Sequence, residues 1–193
     1  MSSCDKLRGT LDTLSAARNL PLAMPRMLQP ELLDGLPPDH PAALHNRRDL
    51  RLTNRAMGNF RWFLRTLPPL LRPADLVLEL GAGTGELGRA LHPRTDALDG
   101  LDRWPRPTDW PAARAWLETD LLTFPSYADY PVIIGNLIFH QFSAAELAAP
   151  GARLRPHARP IVAGEPARRR IFQILFATFA PLLGANYVSR HDA

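Results

Sequence analysis

Glu79, Asp102 and Asp120 each stand in or at the end of a short apolar run, and Gly81-Ala82-Gly83-Thr84-Gly85 follows directly on the first of them. A glycine turn of this kind lets the backbone come close to a ligand, because no side chain stands in the way. The helix expected after it adds unpaired N–H groups and a positive dipole end, which favour an anionic group. Gly83-x-Gly85-x-x-Gly88 also matches the dinucleotide fingerprint, in which that anion is a pyrophosphate. The glycines by themselves therefore leave a nicotinamide cofactor open beside other nucleoside cofactors.

The three acids separate these possibilities. Glu79 lies inside Val77-Leu78-Glu79-Leu80, two residues before Gly81. A charge is rarely buried without a task. A cofactor bearing a positively charged amino acid supplies one, whereas a pyrophosphate would be repelled. Asp102 ends the next run, Gly100-Leu101-Asp102, where a carboxylate can accept hydrogen bonds from both hydroxyls of a ribose. Asp99 is the alternative for that role, although it interrupts the apolar run. Asp120 follows Trp116-Leu117 and can accept from an adenine amino group, with the Leu121 amide meeting the ring. Alone, Asp120 reads as a cap or turn residue. As the third acid at the end of a successive strand it reads as a ligand, since open α/β sheets bind at that edge.

The elements that must position these residues alternate between short apolar runs and helical segments. Strands are expected at 75–80, 96–101, 114–118, 131–135 and 160–164, and helices at 85–92, 143–149 and 167–183. This predicts an α/β fold, a Rossmann-like, doubly wound and mostly parallel sheet. Upstream, Leu50, Ala56, Met57, Phe60, Phe63, Leu64 and Leu67 recur near helical spacing, interleaved with Arg48, Arg51, Arg55 and Arg65. The pattern predicts an amphipathic helix from Arg47 to Leu67 that ends at Pro68-Pro69. Residues 1–46 carry prolines at 21, 25, 30, 37, 38 and 41 and read as a short helix near 5–19 followed by an irregular arm. The chain thus divides into an arm, 1–46, and one domain, 47–193.

With 193 residues, 46% of them apolar, the chain can bury a sizeable core. Its net charge of +4 is carried almost wholly by arginine, Lys6 being the sole lysine, and the arginines are spread along the chain. For the clusters Arg47-Arg48 and Arg168-Arg169-Arg170, a solvated face or a docking surface for an acidic partner is at least as good an explanation as RNA. Cys4 is the single cysteine, so neither an internal disulfide nor a cysteine metal site can form, which fits a reducing cytoplasm. The N-terminus shows no apolar signal core. Ile171–Leu183 is too short to span a bilayer and contains Gln173 and Pro181.

The run 77–85, Gly100-Leu101-Asp102, Thr119-Asp120 and Val132–Phe142 (VIIGNLIFHQF) resemble the first four motifs of the class I S-adenosylmethionine-dependent methyltransferases. Asn136-Leu137-Ile138-Phe139-His140-Gln141-Phe142 and Gly164-Glu165-Pro166 are similar to small-molecule members related to quinone-biosynthesis and polyketide-tailoring methyltransferases. The resemblance covers roughly 30–193. It implies S-adenosyl-L-methionine as cofactor, bound by Glu79, Gly81, Ala82, Gly83, Gly85, Asp102, Asp120, Leu121 and Asn136. A phenolic, quinone-like or polyketide-like acceptor is implied with it.

Two departures bear on the chemistry. Gln141 replaces the second histidine of the subgroup's pair, and the chain stops at Ser189–Ala193, where such enzymes continue into a further helix and an antiparallel hairpin. The expectation is a domain lacking its C-terminal strands, with a fifth strand open to self-association. Methyl transfer needs alignment and exclusion of water more than any one side chain. For a phenol, a base helps, and His140 is the best-placed residue. Its alternative is a histidine packed between Phe139 and Phe142. Nucleic acid is disfavoured as substrate, because Asn136 is followed by Leu-Ile-Phe rather than Pro-Pro-aromatic and Cys4 lies in the arm. The 47–66 helix is expected to lie over the cofactor, with Arg55 or Asn59 reaching its carboxylate. An NAD(P)-dependent oxidoreductase and a non-catalytic binding module are the alternatives.

Overall fold

A computed structural model describes residues 40–95 and 97–165. The expected helices near 5–19 and at 167–183, Cys4, Arg168–Arg170 and the chain end lie outside the described residues. The described residues open on helix α1 (Pro41–Met57), followed by α2 (Asn59–Thr66) and a 3-10 turn at Pro68–Leu70. Strand β1 (Val77–Leu80), helix α3 (Glu86–Leu91), β2 (Leu98–Asp102), β3 (Trp116–Glu118), β4 (Val132–Asn136), helix α4 (Ala148–Leu154) and β5 (Ile161–Gly164) complete it.

The five strands form one parallel sheet in the order β3-β2-β1-β4-β5. All four residues of β1 are buried, as a central strand covered on both faces requires. Strand pleating sends alternate residues to opposite faces. Val77 joins Phe63 of α2, Leu67 just after it, and Leu87 and Leu91 of α3 on one side. Leu78 and Leu80 join Leu121, Tyr127 and Leu154 of α4 on the other. The sheet is thus doubly wound, and the strand order reverses between β1 and β4, where α/β sheets open a crevice at their C-terminal edge.

Three expectations about helices need correction. The single helix from Arg47 to Leu67 is two helices, because Gly58 between them takes a left-handed φ of +70°. Met57, expected on the apolar face, is accordingly 49% exposed, while Phe63 and Leu67 reach the core. The first of the two begins at Pro41, inside the stretch expected to be an irregular arm. Proline suits a first helical position, and the His40 Nδ1 accepts the Ala42 N–H at 3.1 Å. The helix expected at 143–149 begins with a capping turn instead. Ser143 N–H donates to Glu146 at 2.7 Å, Glu146 N–H donates back to Ser143 Oγ at 3.1 Å, and α4 proper follows at Ala148. Pro150 does not end it, since a first-turn proline lacks only an N–H that has no helical partner. Among the described residues, no helix is long and apolar enough to cross a membrane.

Candidate functional site

The glycine turn is stapled to the end of β2. Ala82 N–H donates to the Leu101 carbonyl at 3.1 Å, and Gly85 N–H closes the turn on the Ala82 carbonyl at 2.7 Å. Gly83 N–H donates to Asp102 Oδ2 at 2.7 Å. Two glycines serve different ends. At Gly81, φ is +63° and a Cβ would fall 2.5 Å from the Ile138 side chain, so the loop after β4 can close down on it. At Gly83, φ is +57° and a Cβ would meet nothing within 4 Å, so the turn presents bare backbone to open space.

Asp102 is 9% exposed, and its Oδ1 accepts the Trp104 N–H at 2.9 Å. Each oxygen accepts one backbone amide, and an ionised carboxylate is an acceptor only. Asp99 projects to the other face. Its Oδ1 accepts the Ala115 N–H at 2.9 Å and its Oδ2 the Tyr130 hydroxyl at 3.1 Å. That alternative is a structural tie between β2 and β4's approach, away from the turn.

Glu79 shares the face of Asp102 but lies deeper, against α3. It is 3% exposed, and its Oε2 would be 2.9 Å from a Cβ at Gly88. That oxygen has no hydrogen-bond partner among the described residues. Burial, and then the neighbouring Asp102 charge, push its pKa up to about 8, against the opposing pull of the Gly88 amide and Arg89. Asp120 builds a turn. Its Oδ1 accepts the Leu122 N–H at 2.8 Å and its carbonyl the Phe124 N–H at 2.9 Å. Leu121 buries its side chain with Leu78 and Leu80, and its carbonyl accepts the Tyr127 hydroxyl at 3.1 Å.

Asn136, the last residue of β4, meets both N-terminal helices. Its Nδ2 donates to Asn54 Oδ1 at 2.8 Å, and its Oδ1 accepts from Asn59 Nδ2 at 3.1 Å. Asn59 also donates to Asn54 at 3.0 Å, closing a ring of three amides. Farther along α1, Arg51 pairs with Glu86 at 3.4 Å, and the Arg47 guanidinium lies 3.7 Å over the Trp104 ring. Helix α1 therefore runs over the C-terminal edge from beyond β2 to β4, across the start of α3. The side chain of Arg55 lies outside what the structure describes. A cavity of about 370 Å³ opens beside the turn, lined among others by Arg47, Arg51, Gly83, Thr84, Arg89 and Trp104. Asp120, Leu121, Asn136 and His140 do not line it.

Beyond β4, Leu137 adopts a φ of +57° and a 3-10 turn spans Phe139–Gln141. A branched residue in the left-handed region is strained. Here the Leu137 N–H is fixed on the Gly164 carbonyl at 2.7 Å. The turn then wraps Glu165, the residue after β5. One oxygen of Glu165 accepts the Phe139 and Ile138 N–H groups at 2.9 and 3.3 Å. The other accepts the His140 N–H at 3.2 Å and faces His140 Nδ1 at 2.9 Å. Burial raises the Glu165 pKa, but the His140 bond and the amides outweigh it and hold the carboxyl below its ordinary value. Sequence reading passed over Glu165 as a site residue. Its signal was available, because β4 and β5 are adjacent and residues following both strands meet at one edge. Among the described residues, no cluster of His, Cys, Asp and Glu could hold a metal ion.

No protein-family model matches the chain, and no curated protein does. Solved structures do match. The plantazolicin methyltransferase BpumL, in complex with SAH, is 16% identical over 80% of this chain and 62% of its own, with a TM-score of 0.56. The sugar N-methyltransferase KedS8 from Streptoalloteichus sp ATCC 53650 is 19% identical over 62% of this chain and 53% of its own, with a TM-score of 0.50. The described part of this chain has the Rossmann-like α/β fold of those methyltransferases.

Proposed function

We propose that this chain binds S-adenosyl-L-methionine at the glycine turn and transfers its methyl group to a small-molecule acceptor, phenolic, quinone-like or polyketide-like. The observation that carries the reading is Asp102. An acid at the end of β2, bonded to Gly83 of the turn at 2.7 Å, holds a hydroxyl-accepting carboxylate beside bare backbone. When bound, the cofactor supplies a methyl group made electrophilic by a sulfonium. Asp102 accepts the ribose hydroxyls, and the backbone of Gly81, Ala82, Gly83 and Gly85 packs against the cofactor's methionine and ribose. Asp120, through its second oxygen, and the Leu121 amide meet the adenine. Asn136 and α1 would cover the methionine end and shut out water, leaving the acceptor to be held against the methyl group. His140 takes the proton of a phenolic acceptor. Glu79, buried beneath the turn against α3, would supply the acid that the positively charged amino acid of the cofactor calls for.

The competing reading is an NAD(P)-dependent oxidoreductase. Three guanidiniums line the cavity beside the turn, a setting that suits phosphate, but Arg51 and Arg89 already pair with Glu86 and Asp109. The Gly83 N–H, which a pyrophosphate would need, is given to Asp102. Calorimetric titration separates the two. S-adenosylhomocysteine is expected to bind saturably and NAD(P) to give no heat of binding; preferential binding of NAD(P) overturns the methyltransferase reading.

A further inference from the structure

Glu165 occupies a receptor made by the turn after β4. Three consecutive backbone N–H groups, those of Ile138, Phe139 and His140, converge on its two oxygens at 3.3, 2.9 and 3.2 Å. Such convergence favours a negative charge at their focus. An ionised carboxylate can only accept hydrogen bonds, so the imidazole nitrogen facing it at 2.9 Å must be the donor. In the neutral ring that places the proton on Nδ1 and the lone pair on Nε2. Leu137, held in a strained backbone state by the Gly164 carbonyl, sets the turn at the angle that brings these groups together. The same turn carries Ile138, which packs on Gly81, so it lies against the glycine turn.

We infer that Glu165 is the positioning residue of a His140 base, and that the acceptor is a hydroxyl compound, a phenol or enol, whose O–H is delivered to His140 Nε2. This rests on the methyltransferase reading. The acceptor's proton passes to Nε2 while its oxygen's electron pair forms the new O–C bond. The electrons of the breaking C–S bond return to sulfur, leaving a neutral thioether, and the imidazolium paired with Glu165 later releases its proton to water. An amine already in its neutral form would hold its lone pair without such a base. Glu165 orients the ring and stabilises its charged form; it does not itself receive the proton.

The ring ¹⁵N shifts of His140 in the full chain, taken above the pH at which the imidazole is charged, read the tautomer directly. The expected result is a protonated Nδ1 and an unprotonated Nε2. Glu165→Gln keeps the shape but presents an amide N–H to Nδ1, and the proton should move to Nε2 while affinity for S-adenosylhomocysteine is unchanged. Millimolar phenol added to the S-adenosylhomocysteine complex should shift the Nε2 resonance, and anisole should not. A wild-type ring protonated at Nε2 overturns the positioning role without any variant, and a tautomer indifferent to Glu165→Gln in a variant that still binds S-adenosylhomocysteine overturns it too. Phenol without effect overturns the hydroxyl acceptor. Failure of the wild type to bind S-adenosylhomocysteine counts against the methyltransferase reading instead.

Discussion

On the β2 side of the glycine turn, Asp102 is held by backbone, the N–H groups of Gly83 and Trp104. On the β4 side, Asn136 is held by side chains, those of Asn54 and Asn59, which arrive from helices far away in sequence. The histidine beyond it depends on Glu165 from a different strand again. Backbone contacts between a turn and the neighbouring strand form whenever the sheet forms. A ring of side-chain amides forms only when two further helices dock. The β2 side of the proposed cofactor site is therefore built into the sheet, whereas its β4 side, with the His140 turn beyond it, is assembled from separate pieces.

The largest expected effect tests the buried half. Glu79 is protonated in folded and unfolded chains alike below its ordinary value of 4.5, and the fold raises that value to about 8. Between the two, only the unfolded chain loses the proton as pH rises. Stability should then fall with pH at a limiting slope of about 1.4 kcal/mol per unit. Glu79→Gln remains neutral and should flatten that slope in urea denaturation over a series of pH values. An unchanged slope would mean that this side holds a charged carboxylate after all. Next in size, Asp102→Ala should weaken S-adenosylhomocysteine binding by about 1–3 kcal/mol in calorimetry, because charged hydrogen bonds are lost. Unaltered affinity would remove the ribose role altogether, since Asp99 is committed to Ala115 and Tyr130. The smallest effect belongs to the assembled side. Asn136→Ala should cost about 1 kcal/mol of stability, and a double-mutant cycle with Asn54→Ala should show the two to be coupled. Additive losses would dissolve the contrast between the two sides.

Much of the built-in side was legible in the sequence. The run Val77–Gly85 announces a buried strand, a turn and a helix through local patterns, and the fold follows from repeating that unit. The choice between Asp99 and Asp102 needed one more step, the pleat. The two lie an odd number of residues apart and so face opposite ways, and only Asp102 shares the face of Glu79. The assembled side was hidden for physical reasons. Asn54 and Asn136, or His140 and Glu165, are joined by tertiary contacts between elements whose docking no local pattern encodes. Gly58 was visible as a glycine, but a helix tolerates one, and the left-handed break became evident only from the way Met57 and Phe63 part company.

That break divides α1 from α2 in a further sense. Helix α2 is fastened by apolar burial, with Phe63 and Leu67 wholly out of solvent. Among the described side chains of helix α1, the contacts are the Asn54 amide, an Arg51–Glu86 pair and a guanidinium on an indole. Polar fastenings of that kind are released in small local openings, whereas a core helix leaves only when the domain unfolds. Gly58 would then separate two clocks. If α1 covers the cofactor as proposed, the lifetime of the bound molecule would be set by how often that helix lifts, and a change that makes the whole domain more durable need not lengthen it.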